Sequence, residues 1–141
     1  MRKIEEILAD YDIQIRESEL MEPAVYDPLT NNIYIGKNSS GIELRNAILH
    51  EAGHGILHNQ YKVLYHSTAV SHLKMESEAN KFMVNYLVQE YLEAYGTDIP
   101  INIYDFMRNN RIESKNELLV KSAFLKAGFQ HSRKVQRQVT N

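Results

Sequence analysis

Apolar residues recur along this chain with two different periods, and the switches between them divide it into elements. Ile4, Ile7 and Leu8 share one face of a short opening helix. Near Tyr11 the period falls to two: in "DIQIRES", Ile13 and Ile15 alternate with polar residues, as in a half-buried strand. "AVYDPLTNNIYIG" continues as two short strands around a turn, with Asp27-Pro28 and Asn31-Asn32 as turn formers and Ile33 and Ile35 flanking Tyr34. These segments predict a small antiparallel sheet.

After "KNSSG" the helical spacing returns. Ser40 followed by Glu43 can satisfy each other's free backbone N–H groups, which predicts a helix from about Gly41 to about His58. A second long helical pattern runs from Ser71 to Tyr95 and stops at Gly96, a residue suited to the left-handed conformation. "IYDFM" predicts a short helix after Pro100, and Ser114 with Glu117 opens a last helix that stops at Gly128. The expected fold class is α+β, a small sheet packed on the first long helix and a second long helix, with a helical C-terminal part. Residues 1–96 are expected to form the core, 97–130 a helical extension of the same domain, and 131–141 a basic, flexible tail.

Composition narrows the chemistry. A chain of 141 residues suits one domain with a real core, and 43% apolar with 24% charged residues is the balance of an ordered globular protein. A formal net charge of -2 argues against a broad phosphate-binding or lipid-binding surface. With no cysteine, disulfides and thiolate zinc sites are excluded, so any metal must be held by His, Asp or Glu. "MRKIEEILADYD" lacks the apolar core of a secretion signal, and no apolar run is long enough to span a bilayer; the expected location is cytoplasmic.

Within the first long helix, "AILHEAGHGILH" contains H-E-x-x-H as His50, Glu51 and His54. A spacing of four sets the two imidazoles one turn apart on one face, where both can reach one ion, and Glu51 projects toward the water beside it. Neutral imidazole is a good zinc ligand, and a catalytic zinc uses three protein ligands with a fourth position for water. Glu51 is the candidate base. The bland alternative, a polar stripe on a solvated helix, is opposed by the apolar row Leu44, Ile48, Ala52 and Ile56 and by flanking Ala47 and Leu57, which predict a helix buried nearly all round. Gly53 and Gly55 each sacrifice about 1 kcal/mol relative to Ala inside a helix. That sacrifice is understandable if another backbone or a substrate approaches closely.

The second long helix offers the third ligand. At about 100° per residue, Glu76 shares an arc with Ala79, Met83 and Leu87, whereas Glu78 falls beside Lys74, Lys81, Asn85 and Gln89. A core-facing carboxylate is expensive unless paired, which favours Glu76 as a metal ligand and leaves Glu78 to surface ion pairs with Lys74 and Lys81. Asn80 is a candidate hydrogen-bond partner for a ligand histidine. His58 continues the row of four, but each step advances about 6 Å, too far to share the ion, so a structural or rim role is expected. Tyr61, His66 and His72 are weaker candidates for stabilising an oxyanion, each more simply read as an exposed loop residue.

"NAILHEAGHGILH" followed by "MESEANKFMVNYL" resembles the ImmA/IrrE family of zinc-dependent peptidases, over roughly Ile4 to Leu92. The resemblance implies a zincin-like fold whose edge strand lines the substrate cleft, with His50, His54 and Glu76 as zinc ligands and Glu51 as the base. It also implies cytoplasmic cleavage of a protein regulator, a helix-turn-helix repressor of a phage, mobile element or stress regulon. An extended substrate could add to an edge strand near "NNIYIGK". The chain departs from the family at Met83 and "YLVQEYLEAYG", and no functional residue is carried over beyond Ile101.

Two other classes compete. The same ligands could hold together a metal-stabilised, non-catalytic protein that regulates a repressor or antirepressor by direct interaction. The C-terminal helices with their basic tail could contact DNA, but a few terminal Lys and Arg usually mark only a solvated end, so nucleic acid is not the expected partner. One zinc ion is the expected cofactor, with manganese and iron as alternatives; no membrane partner is expected, and the pattern sets no oligomeric state.

Overall fold

In a computed structural model describing residues 1–58 and 69–127, helix α1 (Ile4–Asp10) carries Glu5 and Glu6 in its first turn, where acidic groups favour the helix dipole. It ends where Asp12 turns left-handed (φ 57°) and the N–H of Ile13 donates to Leu8 O at 3.0 Å. The chain then enters β1 (Gln14–Ser18), β2 (Ala24–Asp27) and β3 (Asn32–Gly36). The β2–β3 turn closes through Asp27, whose carboxylate accepts from Leu29 N–H at 3.0 Å and the Thr30 hydroxyl at 3.1 Å. Asn31 occupies the left-handed region (φ 57°) and its amide donates to Tyr11 O and Asp12 O, fastening the turn to the end of α1.

The sheet is mixed, correcting the antiparallel expectation. Its order is β1-β3-β2: β3 pairs antiparallel with β2 but parallel with β1. Alternation fixes which face a residue occupies and is the same for both directions of pairing, so the sequence pattern could not distinguish them. Gly36 makes this order possible. A Cβ there would lie 2.8 Å from Glu22 O and 3.0 Å from Leu20 O, because the link from β1 to β2 crosses over the end of β3. The stretch "NNIYIGK" is therefore the central strand, already paired on both sides; β1 and β2 are the edges.

Helix α2 (Gly41–His58) matches the expected bounds and packs on this sheet. Leu8, Ile13, Ala24, Tyr26, Ile33 and Ala52 form one buried cluster, flanked by Ala47, Ile48, Ile56 and Phe82. Burial is not uniform around α2: Ala52 to Gly55 are buried, whereas Leu57 is exposed. Helix α3 (Ala69–Tyr95) ends at Gly96, whose φ of 74° and N–H bond to Leu92 O match the expected stop. At Gly53 a Cβ would sit 3.0 Å from Ala79 Cα and 3.2 Å from Ala79 O; at Gly55 it would meet Ile13 and Tyr26. Gly53 allows close approach of the α3 backbone, and Gly55 of the Ile13 and Tyr26 side chains.

Gly53→Ala should therefore destabilise the chain despite its better helix propensity. Propensity returns about 1 kcal/mol, but overpacking against backbone that cannot swing aside costs about 1–3 kcal/mol. A lower urea midpoint at unchanged m-value is expected, and a raised midpoint would show that α2 and α3 separate without penalty.

The described chain divides into two compact units, residues 2–83 and residues 84 onward with Met1, the division falling inside α3. In the second unit α4 (Ile103–Asn109) is capped by Asn102, whose Oδ1 accepts from the N–H groups of Tyr104 and Asp105 at 2.9 and 3.2 Å. A 3-10 turn (Ser114–Asn116) precedes α5 (Glu117–Ala127), so the last helix does not open directly on a Ser114–Glu117 cap. Tyr91, Phe106 and Phe124 meet edge to face, with ring centroids 5.0 to 5.9 Å apart. The expected stop at Gly128 and the tail at 131–141 lie outside the described residues. Among the described residues no helix is long and apolar enough to cross a membrane.

Candidate metal centre

Helix geometry delivers the two imidazoles. His50 and His54, one turn apart on α2, have ring centroids 4.9 Å apart, and each turns Nε2 toward the same carboxylate on α3. Glu76 Oε2 lies 2.9 Å from His50 Nε2, and Glu76 Oε1 lies 2.9 Å from His54 Nε2. Glu51 approaches from the sheet side: its Oε1 accepts the Tyr26 N–H of β2 at 2.7 Å, while its Oε2 stands 3.9 Å from His50 Nε2. The structure thus brings together all four residues selected from the sequence.

Burial sets the charge states. His54, only 4% exposed, is held neutral, burial lowering its pKa to about 4 against the opposing pull of Glu76. Burial would raise the Glu76 carboxyl, but His54 and His50 together outweigh it and hold it below the usual carboxylate range. For Glu51 burial prevails over the Tyr26 N–H bond and over His50, and its carboxyl is raised. A neutral imidazole, an ionised carboxylate and a second carboxylate kept basic form a donor set suited to a divalent ion.

Distances agree with that chemistry. Ligand atoms of a tetrahedral ion bound at about 2.0–2.1 Å, as zinc is by imidazole, lie about 3.3 Å apart. Each 2.9 Å contact of Glu76, one oxygen to each imidazole, is within a few tenths of an ångström of that spacing. Among the described residues, ligand atoms of His50, Glu51 and His54 also lie within 4.8 Å of one another, a group that could bind a metal ion. Glu51 already uses one oxygen on Tyr26, whereas both oxygens of Glu76 address imidazoles, which favours Glu76 as the third ligand.

Other expectations change. Glu76 and Glu78 differ less in burial than the helical arcs imply, with side chains 36% and 45% exposed. Glu78 forms no ion pair with Lys74 or Lys81 among the described residues; its Oε1 lies 3.9 Å from His58 Nε2. His58 is buried inside the chain, correcting any rim position, and its Nδ1 lies 3.1 Å from His54 Nδ1. That contact supplies the partner expected from Asn80, which bonds neither imidazole among the described residues. His72 is exposed, and Tyr61 and His66 lie outside the described residues. A cavity of about 560 Å³ in the second unit, lined by Tyr91, Tyr95, Phe106 and Asn110 among others, contains none of these groups; the convergence of ligand chemistry, not cavity size, marks the site.

No protein-family profile, curated protein or solved structure compared with the chain matches it.

Proposed function

We propose that the chain is a zinc-dependent endopeptidase of the ImmA/IrrE kind, with a zincin-like fold, that cleaves a cytoplasmic helix-turn-helix repressor of a phage, mobile element or stress regulon. One observation carries the reading: Glu76 from α3 meets Nε2 of both His50 and His54 at 2.9 Å, with the raised carboxyl of Glu51 beside them. His50, His54 and Glu76 would hold the zinc, which supplies Lewis acidity to a water and a peptide carbonyl. Glu51 is oriented by the Tyr26 N–H at Oε1, leaving Oε2 to take a proton from the attacking water and return it to the departing amine. Burial makes that carboxylate a stronger base than an exposed one.

Substrate placement follows from the sheet. Among the described residues edge strand β2 pairs only with β3, and its Tyr26 N–H points at Glu51, so the outer side of β2 runs past the base. An extended peptide adding to β2, not to the central β3, would be carried past Glu51 by main-chain hydrogen bonds.

Incubated with zinc and a candidate helix-turn-helix repressor from its own genome, the protein should cut it into two discrete fragments, stop on addition of a chelator and resume when zinc is restored. A repressor left intact under all three conditions overturns the peptidase reading. Zinc-dependent binding of that repressor without fragments would favour the non-catalytic regulator instead.

A further inference from the structure

His58 is a buried polar group beside the site for which the proposed chemistry has no use. It is 5% exposed, its Nδ1 lies 3.1 Å from His54 Nδ1, and its Nε2 has no hydrogen-bond partner among the described residues. Leaving a buried nitrogen unsatisfied is costly, so packing alone is a poor reason for histidine at this position. Glu78 Oε1 lies 3.9 Å from that Nε2, on a half-exposed side chain.

Two ring nitrogens 3.1 Å apart share one proton, so one ring donates and the other presents its lone pair. His54 Nε2 lies 2.9 Å from Glu76 Oε1, a contact that without an ion would be a hydrogen bond. An ionised carboxylate only accepts, so His54 carries its proton on Nε2 and His58 donates from Nδ1. His58 Nε2 is then a lone pair that asks nothing of Glu78. When His54 Nε2 ligates an ion, the ring proton of His54 must sit on Nδ1. The 3.1 Å contact then persists only if His58 Nδ1 accepts, with the His58 proton on Nε2, facing Glu78. Each ring keeps one proton throughout: that of His54 moves from Nε2 to Nδ1, and that of His58 from Nδ1 to Nε2.

We propose that His58 is a positioning residue that holds His54 in its metal-binding tautomer, and that metal loading makes His58 donate from Nε2 to Glu78, fastening the end of α2 to α3. The inference rests on the metal centre proposed above, but not on peptide cleavage. It assigns Glu78 to the site as the terminal acceptor of a chain that begins at the ion and runs through His54 and His58. The ordinary partner of a ligand imidazole is a carboxylate or backbone carbonyl; here a second imidazole intervenes and makes the acceptor responsive to occupancy.

Long-range nitrogen–proton spectra of the histidine rings, recorded on the full chain before and after one equivalent of zinc, test this directly. His58 should change from the Nδ1–H to the Nε2–H form, and His54 in the opposite sense. Zinc uptake without that change at His58 overturns the proposal while leaving the metal centre standing, and absence of zinc uptake removes both. In chelator competition His58→Phe should bind zinc about 10–100-fold more weakly, whereas His58→Asn, whose carbonyl oxygen falls near the position of Nδ1, should recover most of the affinity. Equal losses in the two variants, or none in either, would leave His58 a packing residue only.

Discussion

Glu51→Gln should bind one zinc ion as tightly as the parent protein yet cleave its repressor about 10²- to 10⁴-fold more slowly, the usual contribution of a positioned base. The amide has the same shape, and its carbonyl oxygen can still accept the Tyr26 N–H that Glu51 Oε1 accepts at 2.7 Å, so the link between β2 and α2 survives. What disappears is a basic oxygen at the position of Oε2. Burial is the main reason the Glu51 carboxyl is raised, the Tyr26 bond and His50 opposing it. A base works only when deprotonated, so the acid limb of the cleavage rate should report the Glu51 carboxyl, with burial raising it and a bound cation opposing. That limb should vanish in the amide variant. Single-turnover fragment yields across pH, beside zinc stoichiometry, separate the outcomes: equal rates remove Glu51 as base, and lost zinc makes it a ligand.

How much of this could be read from the amino acids depends on whether a feature is local. The start of α2 at Gly41 is legible from the change of period after "KNSSG", although no Ser40–Glu43 bond forms there among the described residues, and Gly53 and Gly55 announce a close neighbour without naming it. Ala79 Cα, 3.0 Å from where a Gly53 Cβ would stand, is a tertiary fact. His50, Glu51 and His54 are legible together because one helix carries them at fixed angles; Glu76 meets them, but at 36% exposed it is not the core-facing carboxylate its arc implied. The parallel pairing of β1 with β3 was not legible, since the period-two pattern is blind to strand direction; the hint lay in Gly36, needed where the crossing link passes. His58 was judged too distant to share an ion with the other imidazoles, and the structure instead turns it to the far nitrogen of His54, a consequence of rotamer and burial. Glu78 was assigned to its own helix neighbours, but its place beside His58 is set by a different helix. Pattern along one element fixes faces; partners across elements require the fold.

Glu76→Ala should nearly abolish zinc binding, and its effects divide into two measurements. If roughly 10–16 kcal/mol of apparent zinc affinity is shared among a ligand set, deleting one ligand removes on the order of 3–4 kcal/mol, several hundredfold in the competition constant. Independently of metal, the truncation takes the acceptor from Nε2 of both His50 and His54, the latter only 4% exposed. Removing the acceptor of a buried ring nitrogen costs about 1–3 kcal/mol, so the metal-free variant should also unfold at lower urea. Glu76→Gln separates the two effects. Its single carbonyl oxygen can serve one imidazole and recover part of the metal-free stability, but an uncharged amide is a poor ligand and should not recover zinc affinity. Were Glu51 the third ligand instead, Glu51→Gln would lose the metal and Glu76→Ala would keep it. The pair of variants therefore distinguishes a carboxylate that holds the ion from one that moves a proton beside it, two roles that adjoining glutamates within one cluster can exchange on paper but not in measured affinity.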